Sequence, residues 1–309
     1  MNYVECLKTI NRATGWSQEQ LARELGVSFP ALNAWINNRA QPRKKALARI
    51  EALYLEIVGM DDLDEKELKL AKNQAIELKI NPKKFFSSNN NLDKITLYLT
   101  YHTNSIEGST MTLSDVGDVV FDNLVLSNRT AIEQAEARNH QAALHWLIDQ
   151  FLKTGKDFII DEKLILELHL RLMNGIISDA GIYRKHSVRI MGTHVVLASW
   201  PKIPSFINQL EHRLSRNSTD TISELAKVHA DFEKIHPFSD GNGRCGRLIL
   251  LAQALKAGLM PPLVARQRKT AYYKYLQAAQ TADNYKPLEF FVCQSMQFCN
   301  ELFENPKNN

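Results

Sequence analysis

The sequence predicts a mainly α-helical protein that carries one small β-hairpin. Apolar residues recur at spacings of three and four over long stretches, which is the pattern of a helix with one buried face. Two such stretches are Leu144, Leu147, Ile148 and Phe151, and Leu164, Ile165, Leu168 and Leu172. Residues 187–197 instead alternate between apolar and polar side chains, as strands do. The expected fold class is a helical core with a hairpin, preceded by a smaller helical module.

The smaller module spans roughly residues 7–53 and reads as a series of short amphipathic helices. Ser17 and Gln20 form a capping box at the start of one helix. Gly26 then marks a turn, and another helix follows over residues 29–38. This order of cap, turn and second helix resembles the helix-turn-helix of phage repressors.

That resemblance implies a module that binds duplex DNA, with its second helix in the major groove. Ser28 and Asn33 would then lie near base edges, and the amide of Asn33 can read adenine. Residues 1–60 hold eight Lys and Arg against five Asp and Glu, a surplus that favours an anionic partner. The expected phosphate contacts are Arg39, Arg43, Lys44 and Lys45. A dimerisation or protein-docking role for the same module stays open.

Length and composition predict two folded units. The chain has 309 residues, of which 44% are hydrophobic, enough for a full core and a small appendage. Pro82 and the polar cluster after it interrupt helical periodicity. We therefore expect a helix-turn-helix module with a connecting helix over residues 1–80, a linker over 81–91 and the main domain over 92–309.

Composition also excludes several classes of protein. No apolar run is long enough to cross a bilayer, which predicts a protein without a membrane partner. The four cysteines lack metal-ligand spacing, which indicates reduced thiols and a cytoplasmic location. The sequence has no His-Glu-x-x-His, P-loop or Rossmann fingerprint, so nothing supports a metal hydrolase or an ordinary kinase.

The most informative stretch is residues 236–247, which reads HPFSDGNGRCGR. His236 is suited to general-base catalysis because the histidine pKa lies near neutrality. Gly241 and Gly243 allow a tight backbone turn whose N–H groups converge on an anion at the start of the following helix. Arg244 and Arg247 carry planar guanidinium groups that match phosphate oxygens. The combination predicts a nucleotide site.

The same stretch resembles the signature of the Fic (filamentation induced by cAMP) family. This resemblance implies transfer of AMP from ATP to a hydroxyl of a protein target, with His236 as the catalytic base and attack at the α-phosphate. It implies Asp240 as the ligand of Mg²⁺, and Gly243 favours nucleotidyl over phosphoryl transfer. It further implies an ATP site formed by Phe238 as the loop anchor, Gly241, Asn242 as an aid in orienting phosphates, Gly243, Arg244 and Arg247.

A second motif, residues 103–108, resembles the inhibitory signature that many Fic proteins carry before the catalytic core. The resemblance implies an inhibitory helix around residues 95–107, with Thr103 and Glu107 as its signature residues. The Glu107 carboxylate would occupy Arg247, which should otherwise hold the γ-phosphate. Without this context, the motif would simply be a helix end closed by a glycine. Hydrolytic removal of AMP is a further activity that the motif leaves open.

The alternating stretch, residues 187–197, resembles the Fic flap, and we call it the flap segment. The resemblance implies that its edge pairs with an extended segment of the target. The flap positions expected to contact the target are Val188, Ile190, Gly192, Thr193 and Val195. A small hairpin that only covers the core is the structural alternative. Downstream, Tyr272 and Tyr273 are candidate neighbours of the adenine base.

The sequence as a whole predicts a self-inhibited protein adenylyltransferase with a DNA-binding appendage. Its expected partners are ATP, Mg²⁺, a protein target for which the chain itself is one candidate, double-stranded DNA and a second copy of the chain. The alternative hypothesis is a transcription regulator whose Fic domain senses nucleotide with little turnover.

Overall fold

The computed structural model describes residues 2–58, 63–190, 192–216 and 218–304. Within these ranges the protein is built mainly from α-helices, joined by turns, short 3-10 helices and one long connection between Met173 and Ile203. The N-terminal helices are α1 (Tyr3–Thr14), α2 (Gln18–Leu25), α3 (Phe29–Ile36), α4 (Lys44–Ile57), α5 (Glu65–Glu77) and α6 (Pro82–Phe86). The central helices are α7 (Asn89–Glu107), α8 (Leu113–Val120), α9 (Ala131–Thr154), α10 (Glu162–Met173) and α11 (Ile203–Leu214). The last helices are α12 (Thr221–Ile235), α13 (Asn242–Lys256), α14 (Lys269–Ala282) and α15 (Lys286–Glu304). The expectation of a mainly α-helical fold is confirmed.

Helices α1 to α4 form a small module with a core of its own. Its buried centre includes Leu7, Ile10, Leu21, Leu32 and Ile50. The predicted capping box at the start of α2 is present, since Ser17 N donates to Gln20 Oε1 at 2.9 Å and Gln20 N donates to Ser17 Oγ at 3.2 Å. Local sequence therefore sets where α2 begins.

Helix α13 is the centre of the larger core. It is buried nearly all round, from Asn242 through Leu255, and it is packed by α7, α9, α10 and α12. A helix in this position needs apolar residues around most of its surface, and the run from Leu248 to Leu255 supplies them, with Gln253 as its one polar residue. The first turn of α13, which carries the polar motif, is thereby held in a fixed frame.

The segment between module and core differs from the predicted linker. Residues 81–91 contain α6 and the first turn of α7, so the segment is largely helical. Asn81 Oδ1 accepts a hydrogen bond from Lys84 N at 3.1 Å, and Pro82 occupies the first turn of α6. Pro in that position starts a helix because its missing N–H would have no partner there. Phe86 is buried in the core, which ties the segment down.

The chain on either side of this segment is also attached to the core. Helix α5 packs against α15, with Ala71 and Ala75 buried. Ile80 N donates to Gly258 O and Met260 N donates to Leu78 O, both at 2.8 Å, around an isolated antiparallel bridge. Helix α4 of the module contacts α14 and the 3-10 turn Arg266–Arg268. The module is therefore in contact with the larger core.

The predicted β-hairpin is not formed by the described residues of the flap segment. Residues 187–190 and 192–197 form no helix and carry no strand pairing. Gly192 has a φ of 77°, and Thr193 Oγ1 donates to Ile190 O at 3.2 Å, so a turn lies where it was expected. The prediction of paired strands was wrong, and a two-stranded hairpin without a third strand is marginal in water. Half-buried and exposed side chains do alternate along the described residues of the flap segment, as the sequence predicted.

No helix among the described residues is both long enough and apolar enough to cross a membrane.

Candidate functional site

The loop between α12 and α13 is closed by one side chain. Asn242 Oδ1 accepts a hydrogen bond from Phe238 N, and Asn242 Nδ2 donates to Phe238 O, both at 2.9 Å. Asn242 is 2% exposed, so neither bond competes with water. Both polar atoms of this amide are engaged within the loop. Asn242, which was expected to help orient phosphates, therefore shapes the loop that meets them.

Phe238 anchors the loop in the core, as expected. Its side chain is fully buried and stacks on His169, with ring centroids 3.6 Å apart and planes 3° from parallel. His169 Nδ1 accepts from Gly181 N at 2.9 Å, so the proton sits on Nε2, which donates to Asp240 O at 2.9 Å. Burial lowers the pKa of His169 to about 4, which keeps the ring neutral near pH 7. A neutral histidine thus supports the backbone at Asp240.

Arg184 fastens the same loop to both ends of the flap segment. It is 2% exposed, and its Nε donates to His236 O at 2.7 Å. Its Nη1 donates to His186 O and its Nη2 to Ala198 O, also at 2.7 Å. His186 and Ala198 flank the flap segment in sequence. One buried guanidinium therefore fixes the position of the flap relative to His236.

His236 ends α12 in a left-handed conformation, with φ 49° and ψ 61°. Its Nδ1 lies 3.2 Å from Glu233 O, and because a carbonyl only accepts, Nδ1 must carry the proton. Nε2 is then left with a lone pair. Burial lowers the pKa of His236, with smaller opposing effects from nearby groups, so the ring is neutral at physiological pH. The geometry gives His236 a nitrogen that can accept a proton.

A cleft of about 870 Å³ opens beside His236. The start of α13 contributes Gly243 and Arg247, and α7 contributes Glu107. The flap segment contributes Ile190, Gly192 and Thr193, and α14 contributes Tyr272 and Tyr273. The cleft therefore brings together residues that the sequence analysis assigned to catalysis, anion binding, inhibition and target contact.

Arg247 is held by α7. Its Nε donates to Thr103 Oγ1 at 2.6 Å, and its Nη2 donates to the Glu107 carboxylate. Burial alone would raise the pKa of Glu107, but the Arg247 guanidinium outweighs it, so the pKa lies below its ordinary value. The contact expected between these residues is present as an ionised pair. Glu107 also lies where a side chain on Gly243 would be, so the start of α13 must be bare to admit it.

Arg244 and Asp240 lie beside this cleft and do not line it. Arg244 is 3% exposed, and its Nη1 donates to Glu136 Oε1 at 2.6 Å. Its Nη2 is 3.6 Å from Asp240 Oδ2. Arg244, expected to grip phosphate, is therefore already paired with α9 through Glu136.

Asp240 is the one sequence-predicted metal ligand. Its carboxylate is 62% exposed, and Oδ1 accepts from Gly241 N at 2.6 Å. The described residues contain no cluster of three acidic, histidine or cysteine side chains that could enclose a metal ion. Mg²⁺ commonly binds one or two carboxylates, several waters and substrate phosphates. A single exposed carboxylate at the start of α13 fits that mode of binding.

Comparison with protein families decides what this arrangement is. A model of the Fic/DOC family matches residues 159–254, which include the α12–α13 loop. This part of the chain is similar to the Fic/DOC domain. A helix-turn-helix model matches residues 7–54, which include α2 and α3.

Individual relatives agree with this assignment. The chain is 29% identical over 256 residues to a protein adenylyltransferase Fic from Nematostella vectensis, covering 82% of this chain and 56% of the relative. It is 28% identical over 211 residues to a protein adenylyltransferase Fic from Drosophila ananassae, covering 66% of this chain and 40% of that protein. The chain therefore spans about half, or less, of the length of these relatives.

Solved structures share the fold. A Fic domain-containing signaling protein from Bacteroides thetaiotaomicron has a TM-score of 0.61 at 20% identity, with 78% of this chain and 97% of that one covered. A fragment of Fic-1 from C. elegans has a TM-score of 0.63 at 20% identity, with 94% and 85% covered.

Within the Fic domain, the predicted flap residues divide into two groups. Ile190, Gly192 and Thr193 line the cleft, whereas Val188 and Val195 are half-buried in the arms of the flap and do not line it. Side chains two residues apart share a face, but only those nearest the turn reach the cleft.

In the helix-turn-helix module, the expected phosphate contacts are exposed: Arg39, Arg43, Lys44 and Lys45. The two expected base contacts also serve the module itself. Ser28 caps α3, with its Oγ accepting from Ala31 N at 3.4 Å, and Asn33 Nδ2 donates to Gln18 Oε1 at 3.1 Å. The second bond links α3 to α2.

Sequence reasoning assigned no role to Arg184, His169 or Glu136. Arg184 stands in a Gly-Ile-Tyr-Arg run just before the flap segment, and that position was the one available signal. His169 and Glu136 lie on amphipathic helices, where nothing in the local pattern marks them.

We predict that Arg184→Met destabilises the Fic domain by about 2–4 kcal/mol, because it leaves several buried carbonyl groups without donors. Thermal or denaturant unfolding of the full chain measures the change. Lys185→Ala, at an exposed neighbouring position, serves as the control and should alter stability by less than about 0.5 kcal/mol. Equal stability of the two variants would contradict a clamping role for Arg184.

Proposed function

We propose that this chain transfers AMP from ATP to a hydroxyl group of a protein. The observation that carries the proposal is the meeting of His236, the bare start of α13 and Arg247 in one cleft. Helix N-termini attract anions through their free N–H groups and dipole, and a guanidinium adds a charged partner for phosphate. The Fic/DOC match and the names of the relatives support the same reaction.

In the proposed reaction His236 acts as the general base. Nε2 takes the proton from the target hydroxyl, and the hydroxyl oxygen forms a bond to the α-phosphorus of ATP. The bond between the α-phosphorus and the bridging oxygen breaks, and pyrophosphate leaves. A Mg²⁺ ion, held by Asp240 and the phosphates, would neutralise charge on the leaving group. During the transfer, Arg184 holds His236 and the flap segment in fixed positions relative to each other.

The flap segment is the proposed docking site for the target. Its described residues carry no strand pairing, so their backbone N–H and C=O groups have no strand partners. An extended segment of another protein can satisfy these groups by adding a strand. Because Arg184 fixes both flanks of the flap segment, a segment bound there would lie beside His236.

Glu107 is the proposed inhibitor of the reaction. Its carboxylate takes the Arg247 guanidinium, which would otherwise meet the triphosphate. Thr103 strengthens the hold of α7 on Arg247. In a site with little water such a pair resists displacement.

The helix-turn-helix module is the proposed DNA-binding element. Its exposed basic side chains would contact phosphates, and Ser28 and Asn33 at α3 would face base edges. Asn33 could do so by giving up its bond to Gln18.

His236→Ala should abolish AMP transfer and leave ATP binding nearly unchanged, because the imidazole accepts the proton without holding the phosphates. Labelling with ATP that carries a radioactive α-phosphate measures transfer, and calorimetry measures binding. His212→Ala, at an exposed site on α11, is the matched control. Transfer retained by the His236 variant would exclude its role as base.

Glu107→Gly should raise self-labelling or target labelling by about tenfold or more, since breaking a charge-assisted pair is worth roughly 1.5–3 kcal/mol. Glu107→Gln keeps the shape of the side chain but loses its charge, so its labelling rate should lie between those of Glu107→Gly and the wild type. Labelling rates at matched ATP concentration give the result. No increase in either variant would refute inhibition by Glu107.

The full chain should bind duplex DNA with an affinity that falls steeply as salt is added. Neutralising Arg39, Arg43, Lys44 and Lys45 should weaken binding to all sequences alike, whereas Asn33→Ala should narrow the gap between preferred and random sites. Mobility shift and binding-site selection measure the two effects. Lys83→Ala with Lys84→Ala, on exposed α6 positions, is the control. Failure of both assays with the unaltered chain would favour a protein-docking role.

A further inference from the structure

The cleft contains a second carboxyl group that the proposed reaction does not use. Glu233 lies on α12, three residues before His236, and its side chain lines the cleft although the residue is only 6% exposed. Among the described residues, no hydrogen-bond partner is within reach of its Oε1. Buried carboxyl oxygens normally have partners, so an open one inside a cleft points to a ligand.

The sequence makes room for this carboxyl group. A Cβ on Gly246 would lie 2.6 Å from Glu233 Oε1 and 3.0 Å from the Phe232 ring, so any larger residue would displace the carboxyl group. Gly243, one turn earlier on α13, makes room for Glu107 in the same way. Two carboxyl groups therefore lie against a bare face of α13.

Arg247 is the cation that acts on both groups, whereas Arg244 and Lys269 act on Glu107 as well. The hydrogen bonds of Arg247 go to Thr103 and Glu107, both on α7, and its buried Nη1 has no hydrogen-bond partner among the described residues. Glu233 thus lies close to the guanidinium without being bonded to it. The ion pair with Arg247 keeps Glu107 ionised. A negative charge on Glu233 would have no hydrogen-bonded cation to balance it.

Three cationic side chains also line the cleft, Arg189, Lys269 and Lys274, and none of them is hydrogen-bonded to Glu233 Oε1. The remaining titratable groups around Glu233 are neutral. Tyr272 and Tyr273 on α14 and Cys245 on α13 have pKa values raised by burial and stay neutral. On α12 itself, burial lowers the pKa of His229 to about 3 and also lowers that of His236. Burial, opposed by Arg247 and assisted by Glu107, raises the pKa of Glu233 to about 7.

Entry of a triphosphate would increase the negative charge beside Glu233. In the proposed function the γ-phosphate replaces the Glu107 carboxylate at Arg247, and a terminal phosphate carries more negative charge than a carboxylate. A second carboxylate beside it would then be repelled more strongly in a medium of low dielectric.

We propose that the Glu233 carboxyl group is part of the nucleotide site, and that it becomes fully protonated, by uptake of a proton from solvent, when a triphosphate displaces Glu107. The new O–H bond makes the Glu233 carboxyl group, whose Oε1 has no partner among the described residues, a hydrogen-bond donor at the cleft. This proposal rests on the proposed nucleotide function and adds a protonation step to it.

Calorimetry of ATP binding tests the proposal on the full chain. His236→Ala prevents turnover and removes the other titratable base, so the comparison is between His236→Ala and His236→Ala with Glu233→Gln. Binding enthalpies in buffers of different ionisation enthalpy give the number of protons taken up. Protonation of ATP itself is common to both proteins and cancels in the difference.

The single variant should take up between about half a proton and about one proton more than the double variant near neutral pH. Its ATP affinity should fall by up to about tenfold per unit as pH rises above about 7, a loss that the double variant should not show. AMP lacks the β- and γ-phosphates and should give equal proton uptake in both proteins. Infrared difference spectra of the single variant should gain a carboxylic-acid band on ATP binding, which keeps the test independent of the folding of the double variant.

Equal proton uptake in the two proteins with ATP, or no carboxylic-acid band, would overturn the role of Glu233 and leave the proposed function standing. Absence of any nucleotide binding would overturn both.

Discussion

The site depends on a single buried guanidinium. Arg247 lies on the central helix α13, and only 9% of the residue is exposed. A buried cation without partners costs several kcal/mol, so whatever stands opposite Arg247 must be negative or strongly polar. In this structure α7 meets that need with Thr103 and Glu107. In the proposed ATP complex, the triphosphate would meet it instead. The competition between helix and nucleotide follows from the burial of one charge.

Buried side chains hold the loop that precedes α13. Asn242 ties the α12–α13 loop to itself, Arg184 ties the loop to the flap segment, and the stacked pair of Phe238 and His169 ties it to the core. Each of these side chains is buried, so the bonds are not weakened by water. A catalytic nitrogen must be held to within a fraction of an ångström to be effective, and buried supporting bonds achieve this. His236 itself takes a left-handed backbone conformation, which residues other than glycine adopt only when their surroundings impose it.

Two glycines, which have no side chain, shape the site as much as the side chains around it do. Gly243 and Gly246 lie one turn apart on α13, and each leaves space that a carboxyl group of another helix fills. The same bareness exposes backbone N–H groups at the start of α13, where an anion would bind. Close approach of α7 and α12 to α13, and access of a phosphate to the helix N-terminus, therefore have the same origin. A side chain at either glycine would have to push away a carboxyl group that lies beside Arg247.

Local sequence determined where several helices begin and what chemistry the α12–α13 loop carries. The capping box of Ser17 and Gln20 and the run from His236 to Arg247 depend on neighbours in the chain, so pattern and composition are sufficient to predict them. The pairing of Glu107 with Arg247 was expected only because a family resemblance linked two motifs 140 residues apart. Tertiary structure alone decided that Asn242 turns into its own loop, that Arg184 reaches the carbonyl of His236 and that Glu233 fills the space above Gly246. It also decided that Pro82 starts a helix within the expected linker and that the described residues of the flap segment carry no strand pairing. These outcomes depend on which distant surfaces meet and on which polar groups are left without water, and periodicity along the chain carries no information about either.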